Sequence, residues 1–420
     1  MRSSPFHIQN RRERRKTRFL VTGATGFLGS HILAELLRQG HAVVALCRPK
    51  GNLSGSARMN QLLDWFGLET GRRTRLTVLE GCLDRPDLGL SEQAIRRLHS
   101  DIHEIIHCAA ETRFSSRRRS ESERVNLTGL EHVLGLAESG ECDFFHHLST
   151  AYAAGKRSGV CFEDLTDTAD FYNVYEETKH RGERLAVRRC KKTGIRLNIY
   201  RPSIVYGDAD TGRSIRFNAL YYPIKVAHFL RNLYADDLSN GGKKAAAMGV
   251  KAGPNGRIHL PIRIEDADRD GGLHLLPVNY FTRVFIHLMM NELEGDIFHI
   301  SGAEPIPLAR VIAYSRRFLN LSGLEPAPSE DFSTFPRNGL ELLFQSYTKA
   351  YRPYMQDTRR FSTQKTAALL KGTGICCPAF DYSVFERCMK YAVSVDWGKR
   401  LFPAPVDWYR IKNREPGESA

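Results

Sequence analysis

The chain has 420 residues, 42% of them hydrophobic and 26% charged, a balance that excludes intrinsic disorder and fibrous repeats and suffices for two packed subdomains. Lys and Arg number 61 against 47 Asp and Glu, a net charge of +14 that favours anionic partners such as nucleotides, phosphopantetheine or an acidic protein. No apolar run approaches the ~18 residues of a membrane span, and Met1–Lys16 is polar where a signal peptide needs an apolar stretch, so a cytoplasmic location is expected.

Residues 1–16 read as a solvated basic arm. They carry no interleaved aromatic ladder, so no nucleic-acid role is expected. From Thr17 the pattern changes. Arg18–Thr22 is a short apolar strand, followed by a glycine-rich turn and a helix over Ser30–Gln39 that Gly40 terminates. Further strands are expected at Ala42–Leu46, Leu76–Leu79, Ile102–His107, Phe144–Leu148 and Arg196–Tyr200. Helices are expected at Glu123–Ser139 and Glu176–Lys192. Strands alternating with helices predict an α/β protein with a Rossmann-type, doubly wound parallel sheet over residues 17–207.

Residues 208–420 predict a smaller α/β region that shapes a substrate pocket, with order resuming at the strand Ile297–Ile300 and the helix Leu308–Leu319. Residues 231–272, rich in Gly, Lys, Asn and Asp, read as a flexible insertion. The nine cysteines show no CxxC pair, and reduced thiols are expected. His103 and His107 have the spacing of a helical metal pair, but on a strand they lie too far apart to chelate together; no metal is expected.

Thr22-Gly-Ala-Thr-Gly-Phe-Leu-Gly29 places glycines at 23, 26 and 29 between a strand and a helix, the arrangement that turns backbone N–H groups and a helix dipole onto a pyrophosphate. The second strand then ends without an Asp or Glu for a ribose hydroxyl. Arg48 stands there instead and Arg58 follows, which favours NADPH over NADH. The small Ala109 and Ala110 after the fourth strand let a cofactor pass close to the backbone.

Tyr175-Glu-Glu-Thr-Lys179 sets a phenol and an ammonium on one helical face. An ammonium beside a phenol is expected to lower its pKa and ready it for proton exchange with a carbonyl oxygen. Lys179 is suited to the nicotinamide ribose hydroxyls. Thr150, at the carboxyl end of the fifth strand, can donate to the same substrate oxygen, and Asn126 sits on the preceding helix.

These elements resemble the extended short-chain dehydrogenase/reductase family over residues 17 to about 207. The resemblance implies that Thr150, Tyr175 and Lys179 form the catalytic triad and that Asn126 organises it. It also implies cofactor contacts from Thr22, Gly23, Thr25, Gly26, Phe27, Leu28, Gly29, Leu83, Ala109, Ala110, Tyr175 and Lys179. Arg201-Pro-Ser-Ile-Val-Tyr-Gly207, Leu275-Leu-Pro-Val-Asn-Tyr280 and Ile297-Phe-His-Ile-Ser-Gly302 narrow it to the thioester reductase and fatty acyl-CoA reductase branch, with Pro202, Ser203 and Ile204 bordering the cofactor. Two positions depart from that branch: Gly81-Cys82-Leu83 replaces its Gly-Asp-Leu, and Asn279 replaces an Asp.

The implied function is NADPH-dependent reduction of an acyl thioester, on coenzyme A or on the phosphopantetheine of an acidic carrier protein, to aldehyde or alcohol. The substrate is expected to enter between the sheet edge and Phe217–Leu230, where Phe217, Leu220, Tyr221, Tyr222, Ile224, Val226 and Phe229 supply an apolar wall. Competing readings are a ketone or aldehyde reductase or hydroxyacyl dehydrogenase, a nucleotide-sugar epimerase, and a non-catalytic NADPH-binding protein.

Overall fold

A computed structural model describes residues 17–402 except 266–270, 293 and 356; the basic arm expected over residues 1–16 lies outside the described residues. The main sheet is built from β1 (Arg18–Thr22), β2 (Ala42–Cys47), β3 (Leu76–Glu80), β4 (Glu104–His107), β5 (Phe144–Leu148) and β6 (Arg196–Pro202). Four further strands follow: β7 (Ile204–Tyr206), β8 (Ile258–Glu265), β9 (Leu275–Pro277) and β10 (Ile297–Ile300). A fifth is β11 (Leu321–Ala327), and a short strand at Arg359–Phe361 pairs with one at Gly159–Cys161.

The sheet order is β10-β6-β5-β4-β1-β2-β3, with every pairing parallel. Parallel neighbours need crossover helices on the faces, so the central strands are covered on both sides and carry near-continuous apolar runs. Val21, Val43 and Ile106 meet α1 (Phe27–Arg38) on one face. Leu20, Val44 and Phe145 pack on the other with α3 (Gly129–Glu138) and α4 (Val174–Thr193), while α2 (Gly55–Trp65) follows β2.

The sheet does not end at residue 207. Its seventh strand, β10, and the helix α6 (Val278–Asn291) that packs beside α1 both come from the later half of the chain. The intervening residues, with α5 (Tyr221–Ser239), α7 (Leu308–Leu319) and α8 (Gly339–Thr348), build a second core around β8 and β11, which pair in parallel.

Residues 231–265, expected as a flexible insertion, are instead the end of α5, a short helix at Lys243–Ala247 and strand β8; residues 266–270 of the expected insertion lie outside the described residues. The physical reason is apolar periodicity in two registers. Tyr234 continues the buried face of α5, and Ile258, Leu260 and Ile262 bury every second residue of β8.

Candidate active site

At the carboxyl end of β1 the chain turns through Gly23 with φ +68°, and a Cβ there would lie 2.5 Å from the Ala109 backbone nitrogen. A Cβ at Gly29 would stand 2.4 Å from the Gly23 carbonyl oxygen. The carboxyl ends of β1 and β4 and the start of α1 therefore interlock only with glycine at these points. Gly26 caps α1 without a side-chain acceptor, so first-turn N–H groups stay available to an anion. Thr22 faces inward and its hydroxyl bonds His107 Nδ1 at 2.9 Å, which makes it a strut of the turn.

After β2, Arg58 straps this turn from the side. Its Nη1 donates to the Arg48 carbonyl at 2.5 Å and its Nη2 to Thr25 Oγ1 at 2.9 Å, while the Arg48 side chain is exposed at the cavity rim. After β3, the Leu83 carbonyl accepts from His132 Nδ1 at 2.7 Å. Asp84 is engaged on both oxygens, by the Cys82 thiol at 2.8 Å and by Arg124 Nε at 2.8 Å. The Cys82 side chain thus serves its own loop where the branch carries a carboxylate.

Asn173 begins α4 by accepting from Glu176 N at 3.1 Å, which fixes the first turn and with it Tyr175. The Tyr175 hydroxyl is hydrogen-bonded to Thr150, whose own Oγ1 also bonds the Pro202 carbonyl at 3.4 Å. Lys179, one turn along, is buried and donates to the Leu148 carbonyl at 2.7 Å at the end of β5.

The structure corrects the expected electrostatics: burial pushes the Tyr175 phenol up to about 12, with the Thr150 hydrogen bond opposing, and no lowering by Lys179. Loss of water acts on both members of the pair, and Lys179 is itself lowered to about 8 by burial. Burial and the Lys179 charge also hold His107 and His147, stacked at 5.7 Å between ring centres, as neutral imidazoles.

Asn126 lies in a π-helical turn, Arg124–Thr128, that interrupts the single helix expected from Glu123. Its Oδ1 accepts from Glu111 N at 2.7 Å, and its Nδ2 donates to the Glu111 carbonyl at 3.0 Å and to Thr178 Oγ1 at 2.9 Å. Asn126 therefore ties the loop after β4 to the helix carrying the Tyr–Lys pair.

A cavity of about 1650 Å³ gathers these elements. Gly26–Gly29, Arg48, Ala110, Thr150, Tyr175, Lys179, Pro202, Ser203 and Ile204 line it. Thr22, Gly23, Thr25, Arg58, Leu83, Ala109 and Asn126 do not, and act from behind or beside it. Its volume exceeds the ~300–1,000 Å³ usual for one small ligand and so accommodates two. Beyond Tyr175 the cavity continues into an apolar arm lined by Ile224, Ala227, Leu308, Val311, Ile312 and Leu324.

The expected wall is corrected in the same place: Leu220, Tyr222 and Ile224, joined by Ala227, line the cavity, whereas Phe217, Tyr221 and Val226 are buried in the core and Phe229 is exposed. The sequence reading missed Phe114, Arg216 and Tyr354, which also line the cavity. They come from loops and a four-residue helix, where no periodicity marks them. Arg201 and Asn279 gain structural roles. Buried Arg201 grips Glu183 of α4 through Nε at 2.8 Å and Nη2 at 2.6 Å. Asn279 donates to Asp210 at 2.9 Å, where an Asp would meet a like charge.

The sequence profile of the male sterility protein family matches residues 21–248. Fatty acyl-CoA reductase 1 of Gallus gallus is 30% identical over 224 residues, 44% of this chain and 42% of that protein. A linear gramicidin synthase polypeptide of Brevibacillus parabrevis is 23% identical over 389 residues, 89% of this chain and 7% of that protein. The chain thus spans less than half the length of these curated relatives. The terminal R domain from the myxalamid PKS-NRPS biosynthetic pathway superposes with a TM-score of 0.67 over 91% of each chain, at 24% identity. A nonribosomal peptide synthetase reductase domain from Mycobacterium tuberculosis gives 0.63, at 15% identity and over 90% of this chain and 92% of that one. At these identities the likeness shows a shared fold.

Proposed function

The chain belongs to the male sterility protein family of NAD(P)-binding oxidoreductases, and on the cavity described above we propose that it reduces an acyl thioester with NADPH. One observation carries the reading: a single cavity runs from the glycine turn, past Thr150, Tyr175 and Lys179, into a buried apolar arm. A cofactor end, a proton donor and a place for an acyl chain thereby share one cavity.

The glycine cradle that a Cβ would fill, the uncapped start of α1 and the Arg48–Arg58 pair fit a dinucleotide bearing a 2′-phosphate. The chemistry such a dinucleotide would supply, held by the glycine turn and Arg48, is hydride for the thioester carbon. The residues of the chain do the rest. Tyr175, protonated at neutral pH, gives its proton to the carbonyl oxygen, and Thr150 donates a second hydrogen bond as charge develops there. Lys179 holds ribose hydroxyls and keeps a positive charge beneath the site. The resulting thiohemiacetal loses its thiol and leaves an aldehyde. The expected donor of the acyl group is a phosphopantetheine thiol, of coenzyme A or of an acidic carrier protein, and the net charge of +14 favours encounter with either.

The test offers one acyl group as thioester, methyl ester and free acid, together with a simple ketone, and follows NADPH absorbance. Oxidation with the thioester alone is expected. Turnover of the ketone without turnover of the thioester rejects the reading in favour of a simple carbonyl reductase.

A further inference from the structure

The segment joining β7 to α5 meets the carboxyl end of α2. The Arg213 guanidinium sits over the Trp65 ring at 4.2 Å and bonds the Trp65 carbonyl, the last residue of α2. Trp65 Nε1 in turn donates to Tyr391 at 3.0 Å, which anchors the contact in the second core. Arg58 is two turns back along the same helix, about 10 Å at 1.5 Å per residue. Arg216 follows Arg213 by three residues, past a bend at Ile215, with its N–H and its carbonyl both bonded to the Ser214 hydroxyl.

Arg216 is exposed and lines the cavity together with Gly26–Gly29 and Arg48. Neither Arg48 nor Arg216 has a carboxylate partner among the described residues, and Arg58 spends its bonds on a carbonyl and a hydroxyl. Burial holds Arg58 below the ordinary arginine range, and the charges of Arg48 and Arg216 add to that effect, so all three act within one electrostatic neighbourhood. Three guanidiniums from three separate elements, with the Glu111 carboxylate that the Arg48 charge reaches already bound by Arg113, repel one another until a multiply charged anion joins them.

We propose that Arg216, carried by the substrate-binding half of the chain, completes a three-arginine cradle with Arg48 and Arg58 for the adenosine 2′-phosphate of NADPH. The proposal rests on NADPH as the cofactor. It adds a residue that the strand-turn-helix unit does not contain, and it makes the cofactor a bridge between the two halves: residue 216 leads directly into α5, whose Ile224 and Ala227 line the apolar arm.

The experiment titrates the full chain and its Arg216→Gln variant with NADPH, NADH and adenosine 2′,5′-bisphosphate, following binding by calorimetry without substrate. Arg216 is exposed, so the variant is expected to melt at the temperature of the unaltered chain. The expected result is a loss of tenfold or more for NADPH and for the bisphosphate, with NADH unchanged. Equal losses for NADPH and NADH, or no loss for either, overturn the proposal while a preference for NADPH in the unaltered chain leaves the cofactor reading standing. Equal affinity of the unaltered chain for both dinucleotides removes the cofactor reading and the cradle together.

Discussion

Tyr354 and Glu176, 178 residues apart in sequence, are joined by a 2.7 Å hydrogen bond in which the phenol donates to the carboxylate. Glu176 follows Tyr175 directly, and its other oxygen accepts from Tyr172 N at 3.0 Å. Asn173, which caps the same turn, donates to the Tyr354 oxygen at 2.6 Å. The turn presenting the proposed acid is thus clamped by the carboxy-terminal region.

Tyr354→Phe removes that clamp and leaves a buried carboxylate oxygen without its donor. The expected cost is about 1–3 kcal/mol of stability, with a fall in kcat as Tyr175 loses its fixed position. Denaturant unfolding and steady-state kinetics on the same preparation check both. An unchanged midpoint and an unchanged kcat together would remove the clamp from the account.

Tyr175→Phe deletes one hydroxyl from the cavity wall and keeps the ring. Turnover is expected to fall by about 10²–10⁴-fold while NADPH affinity stays within about twofold, because only proton donation is lost. Unaltered turnover would require a different acid.

Lys179 gives a pH signature in the absence of ligand. Its folded pKa of about 8 lies below the unfolded value of 10.5, so between these pH values the folded state binds fewer protons than the unfolded one. Stability from this group therefore rises with pH across that window, by about 3 kcal/mol for a shift of this size. Lys179→Met removes the titration. The difference in unfolding free energy between the unaltered chain and the variant is expected to change by that amount from pH 7 to pH 10.5, in the direction that favours the unaltered chain at high pH, and a flat difference contradicts the burial of the charge.

Ala227 is buried and lines the apolar arm. Ala227→Phe fills part of that arm and is expected to raise KM for long-chain thioesters tenfold or more while a short-chain thioester is reduced as before. Measuring kcat/KM over a series of chain lengths decides it; a uniform loss at every length places the acyl chain elsewhere.

What the sequence revealed was local. The glycine turn, the Tyr175–Lys179 spacing and the helix Leu308–Leu319 depend on neighbours within a turn or two, and the structure has that helix at the expected residues. The direction of the Tyr175 shift was not legible, since it depends on how much water the assembled fold removes. Strand β8 was legible in part: its alternation at Ile258, Leu260 and Ile262 is plain, but a preceding cluster of Gly, Lys and Asn masked it, and its partner β11 lies some 60 residues on. Tyr354 and Arg216 carry no local signal at all. They reach the site through chain segments remote from the motifs.

The position of β10 in the sheet has a bearing on synthesis. Strand β6 ends at residue 202 and β10, which pairs with it, begins at residue 297. At ~5–20 residues per second the ribosome needs roughly 5–20 s to make the intervening chain. Throughout that interval the growing protein shows the outer edge of β6, with Ile199 and Tyr200 destined for the interior, to the surrounding medium. An open strand edge of that kind recruits other strands. The completed fold has no such edge at β6, and a chain interrupted before residue 300 is exposed to aggregation even though every motif residue up to Ile204 has been made.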